Sequence, residues 1–103
     1  MGATQSIDVG ADQSVSVGSN QTVSVSSDRT LTAGGTLAES VTKSYAHTAK
    51  ENITVDAGKQ LTLSCGKATI SLKASGEITI TGKEIKLKAT GNMTLKGKKI
   101  VEN

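Results

Sequence analysis

Three consecutive octads, QSIDVGAD (5–12), QSVSVGSN (13–20) and QTVSVSSD (21–28), determine the predicted fold of this chain. The third and fifth positions of each octad are aliphatic, and one polar residue stands between them. Alternation of this kind is typical of a short β-strand that buries one face. The octads therefore predict a strand and a tight corner that recur every eight residues.

Corners are expected after each strand, where small or polar residues adopt positive φ angles. The residues predicted for these corners are Gly10, Gly18, Asn20, Asp28, Gly58, Gly76, Gly82 and Gly91. A strand and corner that repeat so uniformly favour the wall of a β-helix over a sandwich of hairpins.

A longer repeat replaces the octads in the last third of the chain. ATISLKASGEITITG and KEIKLKATGNMTLKG share most of their apolar and glycine positions, and each fifteen-residue unit carries two apolar pairs. We therefore divide the chain into a starting or linker segment (1–4), an octad-repeat β-helix (5–67) and a fifteen-residue-repeat β-helix that ends in a tip (68–103). Together the repeats predict about thirteen short strands.

The composition excludes a spherical core of large side chains. The 103 residues include no Phe, no Trp and one Tyr, and a compact domain of this length needs bulkier apolar groups. Disorder is the alternative for such a composition, but the regular phase of Ile, Val and Leu argues against it.

The single Cys65 excludes an intrachain disulfide and zinc-ligand spacing. Neither a transmembrane run nor a signal peptide is expected.

Charge is unevenly distributed along the chain. The net charge is +3, with −3 in residues 1–40 and +6 in residues 41–103. A basic half can attract nucleic acid or an anionic surface. Here the lysines alternate with apolar residues, and no aromatic residues are grouped to stack on bases. We therefore expect a solvated outer face and no nucleic-acid partner.

The repeats fit three chains better than one. A single-chain solenoid with three repeats per turn would be a stub about 20 Å tall with uncapped ends. Three intertwined chains would instead span about 60 Å, and few of their layers would be open ends. Uniform corners also suit three equivalent edges around a threefold axis. The predicted fold is thus all-β, an intertwined triple-stranded β-helix that forms a homotrimeric prism.

Small aliphatic residues fit the narrow axis of such a prism. The predicted axial core consists of Ile7, Val9, Val15, Val17, Val23, Val25, Leu31, Val55, Leu63, Ile70, Leu72, Ile78, Ile80, Ile85, Leu87, Met93 and Leu95.

The octads with Val-x-Val and Gly, followed by ATISLKASGEITITG and the lysine-rich KGKKI, resemble the C-terminal spike region of the VgrG family of the bacterial type VI secretion system. The resemblance covers nearly the whole chain from about Gln5. The pattern is also similar to the needle of contractile-phage tail spikes, which is the alternative.

The resemblance implies a non-enzymatic, membrane-puncturing homotrimer without a cofactor. It implies secretion through the type VI apparatus from the cytoplasm, an Hcp tube joined through a base that these residues lack, effector cargo and mechanical contact with a target-cell membrane. It also implies that a PAAR-repeat protein docks on the tip. The tip residues are Lys98, Lys99, Ile100, Val101, Glu102 and Asn103.

Residues 37–51 resist a single interpretation. Their apolar residues lie four apart without glycine, which leaves a helix open beside the strand that the octad phase favours. Glu39 and His47 occupy slots that are aliphatic elsewhere. They form either an axial polar layer or a bulge that turns them to solvent, because buried unpaired charge is costly. We favour the bulge or a paired layer over a metal site, and a small core residue over a thiolate site for Cys65.

The sequence leaves two further function classes open. Thr-x-Thr pairs at 30–32 and 79–81 are similar to ice-binding solenoids, and a β-helix can also bind carbohydrate. The Thr pairs are sporadic, the acids are scattered, and aromatic sugar platforms are missing. The lone His47 has no Asp and Ser at a spacing that suggests a triad, so no catalytic site is expected.

Overall fold

The computed structural model describes residues 4–102, and within them it is all-β, without any helix. The strands are β1 (Gln60–Cys65), β2 (Ala68–Lys73) and β3 (Ile78–Thr81), which form one antiparallel sheet in the order β1-β2-β3. The chain divides into two compact units, Met1–Ser44 and Tyr45–Asn103, and the sheet lies in the second. The all-β class predicted from the alternation is confirmed.

Two tight turns reverse the chain within the sheet. Gly66 is the first of the two residues between β1 and β2, and its φ of 57° is one that residues with a side chain rarely adopt. Gly76, with φ 100°, lies between β2 and β3. The Gly76 N–H donates to the Lys73 carbonyl at 2.9 Å, and the Lys73 N–H donates to the Glu77 carbonyl at 3.0 Å. For residues 60–81, hairpins therefore replace the expected β-helix corners.

Before the sheet, the backbone of the described residues bends at a fixed interval. Bends lie at 10–11, 18–19, 26–27, 34–35, 42–43, 50–51 and 58–59, one every eight residues. The octad corner is thus present in the structure at the spacing that the sequence predicted. The hairpin turn at 66–67 falls on the same step.

Most of these corners do not use positive φ. Among the described residues positive φ occurs at Gly66 and Gly76. The prediction is confirmed for Gly76 and wrong for Gly10, Gly18, Asn20, Asp28, Gly58, Gly82 and Gly91. A bend that merely redirects the chain is possible with ordinary φ angles, whereas a hairpin reverses it within a few residues and needs the left-handed region. Gly66 was missed although it separates two apolar alternations, LTLSC and ATISL.

Within residues 4–102, the segments between these bends have no partner strand. Residues 4–33 and 83–102 of the described chain form no backbone–backbone hydrogen bonds among themselves. Residues 37–51 are neither helix nor paired strand, so the helical alternative is wrong. A strand is stabilised by a neighbour that accepts and donates along its edge. In the described part of the chain the structure consequently shows three paired strands, and the thirteen-strand β-helix stays a prediction.

The described residues form no buried core in a single chain. None of residues 4–102 is buried, and the accessible surface of 11301 Å² is about twice the roughly 5,400 Å² expected for a folded globular protein of 10.5 kDa. The predicted axial residues range from 37% exposed at Leu72 to 74% at Leu87. These values describe one chain alone, and the axial core stays a prediction.

Candidate functional site

One face of the three-stranded sheet is entirely apolar. Residues directly opposite each other in an antiparallel ladder project to the same face, and Leu63 pairs with Ile70, which pairs with Ile80. We call the resulting surface the apolar face. It consists of Leu61, Leu63, Cys65, Ala68, Ile70, Leu72, Ile78 and Ile80. Its larger residues remain accessible, including Leu63 at 59% and Ile78 at 65%.

The opposite face of the sheet is entirely polar. It consists of Gln60, Thr62, Ser64, Thr69, Ser71, Lys73, Thr79 and Thr81. The Gln60 Nε2 donates to the Ser71 Oγ at 3.1 Å and to the Thr62 Oγ1 at 3.3 Å. We call this surface the hydroxyl face. Polar groups of this kind can form hydrogen bonds with water, so exposure of the hydroxyl face is less costly than exposure of the apolar face.

Two shallow grooves extend the apolar face. A groove of about 260 Å³ lies at the β1–β2 end and is lined by Leu63, Cys65, Ala68 and Ile70 among others. A smaller groove of about 140 Å³ is lined by Leu61 and Leu72 together with Val55 and Ala57 from the preceding segment. The last octad before the sheet therefore places its two apolar slots beside the apolar face.

The structure brings five of the predicted axial residues together. Leu63, Ile70, Leu72, Ile78 and Ile80 share the apolar face, and Val55 lies beside it. Leu61 was not predicted, although it continues the alternation of Leu63 and Cys65 one step earlier.

The other predicted axial residues are exposed in segments without a paired strand. They are Ile7, Val9, Val15, Val17, Val23, Val25, Leu31, Ile85, Leu87, Met93 and Leu95.

At the predicted tip, Lys98, Lys99, Ile100, Val101 and Glu102 are exposed and lie outside any strand, while Asn103 falls outside the described residues. Ile100 and Val101 are 60% and 76% exposed. These two apolar side chains remain available for contact, and the docking role of the tip stays a prediction.

His47 stacks on Tyr45, with ring centroids 4.5 Å apart and planes tilted by 30°. Both rings and Glu39 are exposed in the single chain. Cys65 is a free, exposed thiol on the apolar face. Within the described residues, no three His, Cys, Asp or Glu side chains are grouped in a way that could hold a metal ion. The axial polar layer and the bulge both remain predictions.

These features define an all-β fold among the described residues, in which the apolar residues of the three-stranded sheet form one exposed face. No protein-family model matches the chain, and no curated protein matches it either. A search of the described residues for a helix long and apolar enough to cross a membrane found none.

Proposed function

We propose that this chain is a structural, non-enzymatic subunit that associates with two further copies into a triple-stranded β-helical prism. The observation that carries the proposal is the absence of any buried residue among 4–102, although apolar residues recur at a fixed period. Burying one such side chain is worth about 1.5–3 kcal/mol. A chain that leaves them all accessible lacks the main term that offsets the entropy of folding.

The backbone supports the same conclusion. Six-residue segments separated by bends at 10–11, 18–19 and 26–27 have the length of short strands, yet they have no strand partner among the residues that the structure describes. Neighbouring copies in the prism would supply those partners, because each layer of three strands stacks about 4.7 Å above the previous one. In residues 5–36 the eight-residue step keeps the apolar slots of successive octads in phase.

In the same assembly, the sheet of residues 60–81 would form one wall of the prism. With the apolar face towards the axis and the hydroxyl face towards water, three copies would enclose a core of Leu, Ile, Cys and Ala side chains. Neither face would then carry a buried charge, which would be costly at an axis shared by three chains.

The function that suits such a rod is mechanical. Continuous ladders and interlocked chains resist compression and bending, as a puncturing spike requires. This mechanical property and the resemblance to VgrG proteins together support a secreted, membrane-puncturing spike of a contractile secretion machine. Such a spike would bind a PAAR-repeat protein at residues 98–103 and carry effectors as cargo. The needle of a contractile-phage tail would use the same physics and is the alternative.

Light scattering coupled to size exclusion tests the assembly. The expected mass is about 31 kDa, three times the 10.5 kDa chain, and negative-stain images should show rods. A mass of 10.5 kDa at micromolar concentration would contradict the proposal.

The hydroxyl face favours a second candidate, binding of ice or carbohydrate. Its Ser and Thr residues stand in two rows of three across the strands: Thr62, Ser71 and Thr79 in one row, and Ser64, Thr69 and Thr81 in the other. Inhibition of ice recrystallisation, or retention on a polysaccharide column, that Thr79→Lys abolishes would support this candidate over the spike.

A further inference from the structure

We propose that the apolar face of residues 60–81 is the surface on which copies of this chain first meet, and that it fixes the register of the assembly. The inference rests on the proposed self-association and adds where that association begins. Its occupant is the apolar face of a second copy.

The accessible surface that a single chain leaves uncovered is too large for a small ligand or a short peptide to bury. The accessible surface exceeds that of a globular protein of the same mass by about 5,900 Å², whereas a standard interface covers only about 800 Å² of each partner. The apolar slots also recur along the chain at one constant step. A partner of the same length and the same period satisfies both conditions, and another copy of this chain has both.

The sheet that carries the apolar face forms within a single chain, without contacts to another copy. β1 pairs with β2 across a two-residue turn, and β2 pairs with β3 across a short loop. Such local pairings close small loops and form quickly. The Ala74 N–H adds a further bond to the Lys59 carbonyl at 2.9 Å, which extends the pairing beyond β1. Residues 4–33 have no such pairing among the described residues, so we expect their strands to pair only after another chain has bound.

The octads alone cannot fix the register between copies. QSVSVGSN and QTVSVSSD carry the same apolar slots, so a slip of eight residues between two chains again places Val against Val. Within residues 5–36 a one-residue slip is excluded by the alternation, but a slip of one whole octad still places apolar slots opposite apolar slots. The two hairpins of residues 60–81 do not recur in the described chain, so aligned sheets permit a single register.

The order of assembly can be followed through thiol protection. Cys65 lies on the apolar face, and Ala33 occupies the equivalent slot of an earlier octad. The full chain is refolded from denaturant and pulsed with a thiol reagent at successive times. The comparison uses the natural Cys65 and a Cys65→Ala, Ala33→Cys variant. Protection at position 65 should precede protection at position 33 by about tenfold in time.

A pair of glycine variants provides a second measurement on the full chain. Gly76→Ala forces a side chain into φ 100°, whereas Gly34→Ala adds a Cβ with no atom within 4 Å and no positive φ. We expect the assembly rate to fall about tenfold for Gly76→Ala, because a left-handed φ disfavours residues with a Cβ, and to change less than twofold for Gly34→Ala.

The outcomes separate the two proposals. If wild-type chains assemble but position 33 is protected first or simultaneously, or if both glycine variants assemble equally fast, the apolar face is not the first contact. If Cys65 of the wild type is never protected and the mass stays that of one chain, the proposed trimer itself is wrong.

Discussion

Leu63 lies directly opposite Ile70 in the antiparallel ladder, and Ile70 lies opposite Ile80 on the next strand. The three side chains therefore stand in one row across the sheet, on the face that carries no polar residue. All three remain accessible, and Ile70 is the least exposed of them at 39%. In an assembled protein this row would form one apolar layer.

Replacement of Val15 should test the inward phase of the octads. Val15→Asp would bring three carboxylates together at the predicted axis, at a cost of several kcal/mol for each one that stays charged. The octad pattern predicts that the neighbouring Ser16 lies on the outer side, and Ser16→Asp should be almost neutral. Light scattering of both variants measures the trimer. Equal loss of trimer from the two changes would mean that the assigned inner and outer faces are wrong.

The two faces of the sheet should respond differently to a lysine. Ile80→Lys places an ammonium group on the apolar face, and we expect association to weaken by several kcal/mol. Thr79→Lys places the same group on the hydroxyl face, near Glu77, whose carboxylate accepts a 3.4 Å hydrogen bond from the Thr79 hydroxyl. That control should change stability by less than about 1 kcal/mol. Denaturant titration at fixed protein concentration compares them, and similar midpoints would argue against a buried apolar face.

Gly66 should be required by its backbone angle. Gly66→Ala puts a Cβ at φ 57°, and we expect a loss of about 1–2 kcal/mol. Gly58→Ala is the matched control, because its Cβ would meet no atom within 4 Å and its φ is not positive. That change should be neutral, or stabilising by about 0.4–1 kcal/mol through the unfolded chain. Thermal unfolding followed by circular dichroism distinguishes the two, and an undisturbed Gly66→Ala would contradict the hairpin.

Residues 98–103 should be needed for the tip partner and not for the trimer. Deletion of this segment removes the exposed Ile100 and Val101 but no paired strand of the described chain. The truncated protein should keep its trimeric mass and lose binding to a PAAR-repeat protein in a calorimetric titration. Retained binding would place the partner elsewhere, and loss of the trimer would make the segment structural.

The corners show which features of the backbone the sequence predicts and which it does not. The eight-residue spacing predicted bends such as that at 34–35, and the structure has them. Their backbone angles were not predictable, because a bend can be made with several combinations of φ and ψ. Gly76 adopts positive φ as expected, but Gly58 does not. Only the hairpins, which reverse the chain, require that region.

The candidate site was predictable in part. The alternation placed Leu63, Ile70, Leu72, Ile78 and Ile80 on an inner face, and the ladder puts these five on one surface. The addition of Leu61 and the proximity of Val55 depend on where each strand begins and on how the preceding segment runs. Element boundaries of this kind depend on packing more than on local pattern.

The sequence by itself determined the all-β class, the eight-residue step and the division of residues 60–81 into an apolar and a polar set. These properties follow from neighbouring residues, since side chains alternate across any strand. Only the tertiary structure decided that Gln60 pairs with Lys73 and that β1, β2 and β3 form two hairpins. Every repeat offers nearly the same apolar pattern, so pattern alone cannot select a partner. The choice depends on the free energies of competing pairings, which turns, loop closure and packing distinguish.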